Sequence, residues 1–343
     1  MTQSSTKGFD RVICDVGRTK VRIAHNQISS VQYDSIKRFR TSDFVYSEYP
    51  IADILLNFLA EKNLNPQRTS VVMSVPTHVL DDEVRFYRTM QNWNFSISGT
   101  SRKLALGALK VINDTVALGY AVPLIKQLGE FRLIGRGRSQ GGAPILAVGL
   151  RSGVGALGMV FSSKEGENGI WLPIQSEGGH IEIAPANSSE AELLSQVMDD
   201  LHRPPTVSDV LSGEGTIRLY RVISKSKGIK PDLNLVPNNL NVRAKSNNVD
   251  ADVAAMTIEL WCKWLGSYLR NLALAFGAHG GIYIAGTVPI DLLGEGEIRN
   301  REHFRVRFEE GGPGGSYLSR IPTALVTHPY PFLLGLSRLR IPI

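Results

Sequence analysis

The sequence predicts an α/β protein with two domains. Its 343 residues exceed what a single compact core usually holds. Apolar runs typical of strands alternate with longer segments of helical spacing, which favours a sheet with largely parallel central strands. A strand followed by a glycine-containing turn occurs twice, at 11–19 and 145–155. This duplication indicates two similar halves facing one cleft.

The first half opens with two predicted strands, 11–16 and 19–24, around a turn at Gly17–Arg18. An apolar run at 70–75 predicts a buried strand that ends at Pro76. The other predicted elements of this half are helices at 51–62, 101–111 and 115–128 and a short strand at Val111–Ile112.

The second half begins after a loop rich in glycine and arginine at 135–143. The run ILAVGL at 145–150 predicts its first strand. Further predicted elements are strands near 157–161, 170–174 and 282–286 and amphipathic helices at 189–202 and 250–276.

Composition and charge exclude several classes of protein. The net charge is +6, but the basic residues are scattered, whereas nucleic-acid binding favours a concentrated basic stripe. No apolar run approaches the ~20 residues of a membrane span. The polar start, MTQSSTKGFDR, has no apolar signal-peptide core and no helix-turn-helix extension before the first strand. With two cysteines in apolar runs, we expect a cytoplasmic protein that binds neither nucleic acid nor membrane.

Two glycine-containing turns could hold phosphate groups. The segment Asp15–Lys20 places Gly17 and the Thr19 hydroxyl in a turn beside an acidic residue. Backbone N–H groups in such turns bind phosphate oxygens, and a carboxylate beside them can hold Mg²⁺ directly or through water. The segment Gly149–Gly155 repeats the pattern with Ser152. Taken alone, the first turn is better explained as an ordinary β-hairpin, and the second is weak evidence because glycines serve many turns. The pair indicates two loops that clamp one polyphosphate.

Two further segments carry polar groups suited to a small polar ligand. Asn113-Asp114 follows a strand, where a carboxylate can act as a general base towards a hydroxyl. The commoner role of such a pair is an Asx turn or helix N-cap. In Glu177-Gly178-Gly179-His180, two glycines allow a sharp turn that brings an acceptor and an imidazole together, which favours ligand binding.

These segments, in this order, resemble bacterial glucokinases of the actin-like ATPase superfamily. The family pattern is matched by DVGRT at 15–19, INDTVAL at 112–118, RSGVG at 151–155 and EGGHIEIAP at 177–185. Further matches are VLSGEG at 210–215, NLALAFGAHGGIYIAG at 271–286 and PFLLG at 331–335. The resemblance covers almost the whole chain. It implies a two-domain actin-like (ribonuclease H-like) α/β fold with an interdomain cleft.

The resemblance also implies domain limits and an activity. The small α/β domain would comprise 8–124 plus 328–343, and the large α/β domain would comprise 125–327. The implied reaction is ATP-dependent phosphorylation of glucose to glucose 6-phosphate with Mg²⁺. Family members of this type are often homodimers, so the resemblance implies a homodimer as well.

The resemblance assigns roles to matching positions. Asp114 would be the catalytic base, and Asp15 would lie near magnesium. The sugar hydroxyls would be bound by Asn113, Glu177 and His180. The nucleotide site would comprise Asp15, Gly17, Arg18, Thr19, Ser152 and Gly153 at the phosphates and Gly280, Gly281 and Gly286 near the adenosine.

Several positions depart from the family pattern, among them Arg18, Arg151 and Ser208. Arg18 and Arg151 replace glycines of the two loops, and arginine avoids positive φ. Arg18 could instead direct its guanidinium at a phosphate. Ser208 stands where the family has a further sugar-binding Glu, with Asp209 next to it but out of register. Two hypotheses follow: a hexose kinase, or a glucokinase-like sugar-binding or regulatory protein with weak or no kinase activity.

Overall fold

The computed structural model describes residues 10–27, 30–31, 35–86, 88–163, 169–310 and 314–339. The chain divides into two compact units: unit 1 is Met1–Leu124 with Tyr330–Ile343, and unit 2 is Ile125–Pro329. The unit boundaries fall at or next to those predicted for the domains, but that each unit is an independent domain stays a prediction. The polar N-terminal residues 1–9 and the final residues 340–343 lie outside the described residues.

Unit 1 is built around a six-stranded sheet. The strands of unit 1 are β1 (Asp10–Val16), β2 (Lys20–Gln27), β3 (Ser30–Val31), β4 (Lys37–Arg40), β5 (Thr69–Val75), β6 (Val79–Leu80), β7 (Glu83–Val84), β8 (Phe95–Ser96) and β9 (Ala108–Asn113). Of these, β6, β7 and β8 form a separate three-stranded sheet. Its helices before the chain enters unit 2 are α1 (Pro50–Glu61), α2 (Ile97–Lys103) and α3 (Asp114–Leu128).

The main sheet of unit 1 has the order β3-β2-β1-β5-β9, with β4 also paired to β2. Strand β1 runs antiparallel to β2 but parallel to β5, and β5 runs parallel to β9. All seven residues of β5 are buried, as expected for a central strand covered on both faces. The carboxyl ends of β1, β5 and β9 therefore meet at one edge of the sheet.

The helix predicted at 101–111 was wrong. Helix α2 ends at Lys103, Ala105 adopts a positive φ of 48°, and β9 begins at Ala108. The apolar residues of this segment also fit a helical period, but pairing with β5, which places Val111 opposite Met73, fixes the segment as a strand.

Unit 2 contains the second six-stranded sheet. Its strands are β10 (Phe131–Ile134), β11 (Ile145–Leu150), β12 (Val154–Ser162), β13 (Ile170–Gln175), β14 (Gly281–Ala285) and β15 (Thr323–Val326). Its helices are α4 (Ser188–Leu201), α5 (Val207–Leu211), α6 (Gly213–Ser226), α7 (Leu240–Ala244), α8 (Ala251–Phe276), α9 (Thr287–Leu293), α10 (Ile298–Glu309) and α11 (Gly315–Leu318).

The sheet of unit 2 has the order β10-β15-β14-β11-β12-β13. Strand β11 is antiparallel to β12 and parallel to β14, and β14 is parallel to β15. This arrangement repeats that of unit 1: a hairpin extended by an antiparallel strand on one side and by two parallel strands on the other. In both sheets the turn of the hairpin lies at the carboxyl edge of the parallel strands.

The long helix α8 runs through the core of unit 2. Its Trp261 and Trp264 are fully buried. The Trp264 Nε1 donates a hydrogen bond of 3.0 Å to Glu190, and Arg307 forms a buried ion pair of 2.6 Å with the same carboxylate. Pairing explains why these charges are tolerated away from water.

The C-terminal helix α12 (Pro331–Leu336) packs within unit 1. Its Leu333 and Leu336 share an apolar cluster with Ile13 of β1 and Val72 of β5. In addition, the Arg11 guanidinium donates to the Leu336 carbonyl (2.6 Å). Among the described residues, no helix is long and apolar enough to cross a membrane.

Candidate active site

In unit 1 the predicted residues lie at the carboxyl edge of the parallel strands. The turn Gly17–Thr19 follows β1, and Asp114 follows β9. The Gly17 N–H donates to the Lys20 carbonyl (2.9 Å), which closes the turn. Ligands of open α/β sheets bind at this edge, because the connecting loops there are free to differ while the strands fix their ends.

Asp15 is the buried carboxylate beside this turn, with 2% of its surface exposed. The strand register places it between Arg22 of β2 and Ser74 of β5. The Arg22 guanidinium lies 3.1 Å from one carboxylate oxygen, and the Ser74 hydroxyl donates to the other at 3.1 Å. These neighbours hold the side chain in one orientation behind the turn.

Arg18 carries no backbone strain in this turn. The described non-glycine residues with positive φ are Asn63, Asp81, Ala105 and His202. Because Arg18 is not among them, the loop does not need glycine at this position. The Arg18 carbonyl accepts a hydrogen bond from the Thr41 hydroxyl (2.8 Å), which anchors the turn to the start of a 3-10 helix.

Asn113 and Asp114 form the junction of β9 and α3. The side-chain oxygen of Asn113 accepts a hydrogen bond from the Thr115 N–H (2.9 Å), and its side-chain amide donates one to the Thr77 carbonyl (3.1 Å). The structure therefore gives Asn113 the helix-capping role expected of this residue type. Asp114 is the half-buried first residue of α3, where the positive end of the helix dipole favours a charged carboxylate.

In unit 2 the second turn, 151–153, follows β11. The Arg151 N–H donates to the Gly153 carbonyl (2.8 Å), and the Arg151 carbonyl accepts from the Gly213 N–H (3.0 Å) at the start of α6. Ser152 and Gly153 are exposed. The turn is thus fixed at its first residue, while its tip is open to a ligand.

Glu177 and His180 lie together after β13. Gly178–His180 form one turn of 3-10 helix, closed by a hydrogen bond of 2.8 Å from the His180 N–H to the Glu177 carbonyl. The His180 Nε2 lies 3.7 Å from the Glu177 carboxylate, and both side chains are more than half exposed. The structure brings this predicted pair together with both polar groups facing outward.

The turn requires glycine at position 179, because a side chain there would clash with β12. A β-carbon at Gly179 would lie 1.7 Å from the Val154 carbonyl oxygen and 2.9 Å from the Ser208 hydroxyl. The backbone of the turn therefore lies directly on β12. Side-chain atoms cannot fit between them, so this close approach positions Glu177 and His180.

Ser208 and Asp209 are engaged within the protein. The Ser208 hydroxyl accepts a hydrogen bond from the buried Val154 N–H (3.1 Å). The Asp209 carboxylate accepts from the Thr206 N–H (2.8 Å) and pairs with Arg203 (2.8 Å). Burial opposes its charge, but these hydrogen bonds hold the pKa of Asp209 below its ordinary value. Asp209 thus caps α5 instead of extending the predicted sugar site.

The predicted adenosine-side glycines do not lie together. Gly286 follows β14 with a φ of 136°, and a β-carbon there would meet the Leu150 carbonyl oxygen at 2.0 Å. It therefore adjoins the second turn. Gly280 and Gly281 stand at the opposite end of β14, roughly 16 Å away at ~3.3 Å per residue.

Asn113 and Asp114 belong to unit 1, whereas Glu177 and His180 belong to unit 2. Their convergence in one interdomain cleft stays a prediction. Within the described residues, no group of three or more His, Cys, Asp or Glu side chains could hold a metal ion.

Sequence reasoning missed Ser74, which orients Asp15. The signal was available, because Ser74 is a polar residue within the apolar run 71–75 of β5. It also missed Tyr268 of α8, whose hydroxyl lies beneath Gly178. No local pattern in the helix distinguishes that tyrosine from an ordinary core residue.

Comparison with known proteins extends these observations to the whole chain. The sequence model of the family described as Glucokinase matches residues 12–340. The glucokinase of Erwinia tasmaniensis is 31% identical over 324 residues, covering 94% of each chain. That of Aromatoleum aromaticum is 33% identical over 327 residues, covering 95% of this chain and 93% of its own.

A solved structure agrees with the sequence comparisons. The crystal structure of a glucokinase from an Antarctic psychrotroph has a TM-score of 0.75 and 26% identity, covering 96% of this chain and 98% of its own. The predicted two-domain actin-like α/β fold is confirmed by this similarity. The chain belongs to the glucokinase family.

Proposed function

We propose that this protein transfers the γ-phosphoryl group of ATP to the 6-hydroxyl of glucose and acts in the cytoplasm. The observation that carries the proposal is the family match over residues 12–340. Glucose 6-phosphate and ADP are the products. We further propose a homodimer, on the resemblance alone.

Asp114 is the proposed general base. It accepts the proton of the 6-hydroxyl as the sugar oxygen bonds to the γ-phosphorus and the bond to ADP breaks. Its place at the first residue of α3 supports this role, because the helix dipole stabilises the ionised carboxylate that a base requires. Asp114 is the only proposed site carboxylate at the end of a parallel strand of unit 1 that also starts a helix.

The proposed sugar ligands are Asn113, Glu177 and His180. Glu177 supplies acceptors and His180 a ring nitrogen, and their outward orientation suits hydroxyl binding. The Asn113 amide donates one N–H to Thr77, and a primary amide has a second N–H for a sugar hydroxyl. Its capping bonds hold it rigidly enough to define a position for that hydroxyl.

The proposed phosphate loops are the turns Gly17–Thr19 and 151–153, with Arg18 and Ser152 at their tips and Gly286 beside the second. Both carboxylate oxygens of Asp15 have a protein partner. Asp15 is therefore better suited to accept a hydrogen bond from a water bound to magnesium than to bind the ion directly. When bound, Mg²⁺ would neutralise phosphate charge. Gly280 and Gly281 are left out of the proposed site because of their distance from Gly286.

A sugar-binding or regulatory protein with weak turnover is the second candidate. Ser208 favours it, because its hydroxyl serves the Val154 N–H and contributes no carboxylate beside Glu177. Arg18 does not favour this candidate through backbone strain, because its φ is not positive. A kinase and a regulator would share the sugar ligands and differ in turnover.

The two candidates are separated by one assay. Purified protein is incubated with MgATP and glucose, and glucose 6-phosphate is followed through reduction of NADP⁺ by an added dehydrogenase. Steady formation of product that requires ATP supports the kinase. A protein whose melting temperature rises with glucose, but which forms no product, is a sugar-binding protein.

A further inference from the structure

Tyr268 has a buried hydroxyl that no described residue pairs. The side chain is 3% exposed, and its oxygen has no hydrogen-bond partner among the described residues. Burial raises the pKa of the phenol, so the group stays neutral and retains its proton. Buried hydroxyls are nearly always hydrogen-bonded, and an unpaired one lowers the stability of the fold.

The hydroxyl lies directly beneath the turn that carries Glu177 and His180. A β-carbon at Gly178 would lie 3.0 Å from the Tyr268 oxygen and 3.3 Å from the Ser176 hydroxyl. Ser176 itself donates to the Ala156 carbonyl (2.9 Å) and accepts from the Gly178 N–H (3.3 Å). The Tyr268 hydroxyl and the Ser176 hydroxyl therefore both adjoin Gly178.

Tyr220 shows how this protein otherwise treats a buried tyrosine. Its hydroxyl donates to Asp250 and accepts from the Asp232 N–H (3.0 Å). Phenylalanine at Tyr268 would fill the same space without a stranded hydroxyl. The turn at Gly178 adjoins the hydroxyl, so a shift of that turn would supply a partner.

We propose that Tyr268 is a positioning residue for the sugar site, whose hydroxyl is unpaired without sugar and hydrogen-bonds the 176–178 segment when glucose binds. The inference rests on the proposed function. Glucose draws Glu177 and His180 towards its hydroxyls, and the accompanying shift of the turn brings an acceptor oxygen of the 176–178 segment into line with the phenol O–H. The bond forms only in the bound conformation, so it contributes to sugar affinity.

The test uses Tyr268→Phe in the full-length protein, with Tyr220→Phe as the matched control in the same unit. For Tyr268→Phe we expect the melting temperature without sugar to stay level or rise. We expect the Kd for glucose, by calorimetry without ATP, to rise about 2- to 10-fold, the effect of one hydrogen bond. The KM for glucose should rise with it, while kcat and the KM for ATP stay unchanged.

Tyr220→Phe should do the opposite: a lower melting temperature with an unchanged Kd for glucose. An unchanged Kd in Tyr268→Phe overturns the inference. So does a fall in both stability and affinity, because that pattern describes a purely structural tyrosine. If the wild type does not bind glucose, the proposed function itself fails, and the inference fails with it.

Discussion

The two hairpins of this protein have the same strand arrangement but different contents. In unit 1, the residue before the last of β1 is the buried Asp15, and the turn is anchored by the partly exposed Thr41. In unit 2, the corresponding residue of β11 is Gly149, and the hairpin is anchored by partly buried hydrogen bonds to the Ser208 hydroxyl and the Gly213 N–H.

The difference indicates how the proposed chemistry is divided. Unit 1 supplies the carboxylates proposed for the reaction, Asp15 and Asp114, and one proposed sugar ligand, Asn113, at one edge of its sheet. Unit 2 supplies an exposed turn tip and the proposed sugar-binding pair Glu177 and His180, both held by tight backbone packing. Substitutions at Glu177 and His180 should therefore act first on sugar affinity, and those at Asp114 on turnover.

The largest expected effect on stability concerns the buried ion pair of unit 2. Burial opposes the charge of Glu190, but hydrogen bonds from Arg307, the Ala186 N–H and Trp264 hold its pKa below the ordinary value. Among the described residues, Glu190→Gln leaves Arg307 with the exposed Glu310 as its only ion-pair partner, beside a hydrogen bond to the Ser267 hydroxyl. We expect the free energy of unfolding to fall by about 3 kcal/mol, measured by urea titration at pH 7.

The same pair sets a pH dependence. Because the folded pKa of Glu190 is lowered, its stabilisation is fully present above the unfolded value near ~4.3 and is lost as pH falls through the folded value. Below the unfolded value of ~4.3, the free energy of unfolding should fall more steeply with decreasing pH in the wild type than in Glu190→Gln. Equal slopes for the two proteins would remove this pair from the account.

Gly179→Ala should have the next largest effect. Its β-carbon would meet the Val154 carbonyl oxygen at 1.7 Å, so the turn must move off β12. We expect the free energy of unfolding to fall by about 1–3 kcal/mol and glucose affinity to fall with it. Gly153→Ala is the control, because no atom lies within 4 Å of its added carbon. Similar stability losses in both variants would contradict the close packing at Gly179.

A matched pair of hydroxyl deletions compares the two hairpins directly. Ser208→Ala leaves the buried Val154 N–H unpaired and should cost about 1–3 kcal/mol of stability. Thr41→Ala should cost less, about 0.5–1.5 kcal/mol, because the Arg18 carbonyl is close enough to the surface to bind water. Thermal unfolding of both variants decides the order, and a larger loss for Thr41→Ala would reverse the comparison.

The smallest expected effect is that of Arg18→Gly. No backbone strain is relieved, because φ at this position is not positive. The lost guanidinium should weaken nucleotide binding, raising the KM for ATP about 2- to 5-fold, as for a partly exposed charge pair. Tighter ATP binding would show that the side chain blocks the site instead.

The sequence predicted most of the fold because local patterns were consistent with it. The hairpin at Gly17 and the buried strand β5 were readable from period and turn chemistry alone. The error at 101–111 arose where an apolar segment fits both periods and only pairing with β5 decides.

The site was only partly predictable. Motifs located the turns and the pair Glu177 and His180, but not what fixes them. Ser74, Thr41 and Ser208 act through contacts distant in sequence, which no local pattern reveals. Gly280 and Gly286 are close in sequence, with only the five residues of β14 between them, so they were predicted to lie in one site. The extended strand places them at opposite edges of the sheet.

The most direct test of the division between the units is Asp114→Asn, assayed for both turnover and glucose binding in the same preparation. Asparagine keeps the shape of the side chain but removes its basicity. We expect kcat to fall at least ~100-fold, the lower end of general-base catalysis, while the Kd for glucose changes far less because Glu177 and His180 are intact. Unchanged turnover would contradict Asp114 as the base. A loss of glucose binding as large as the loss of turnover would contradict the assignment of Asp114 to the chemistry and of Asn113, Glu177 and His180 to sugar binding.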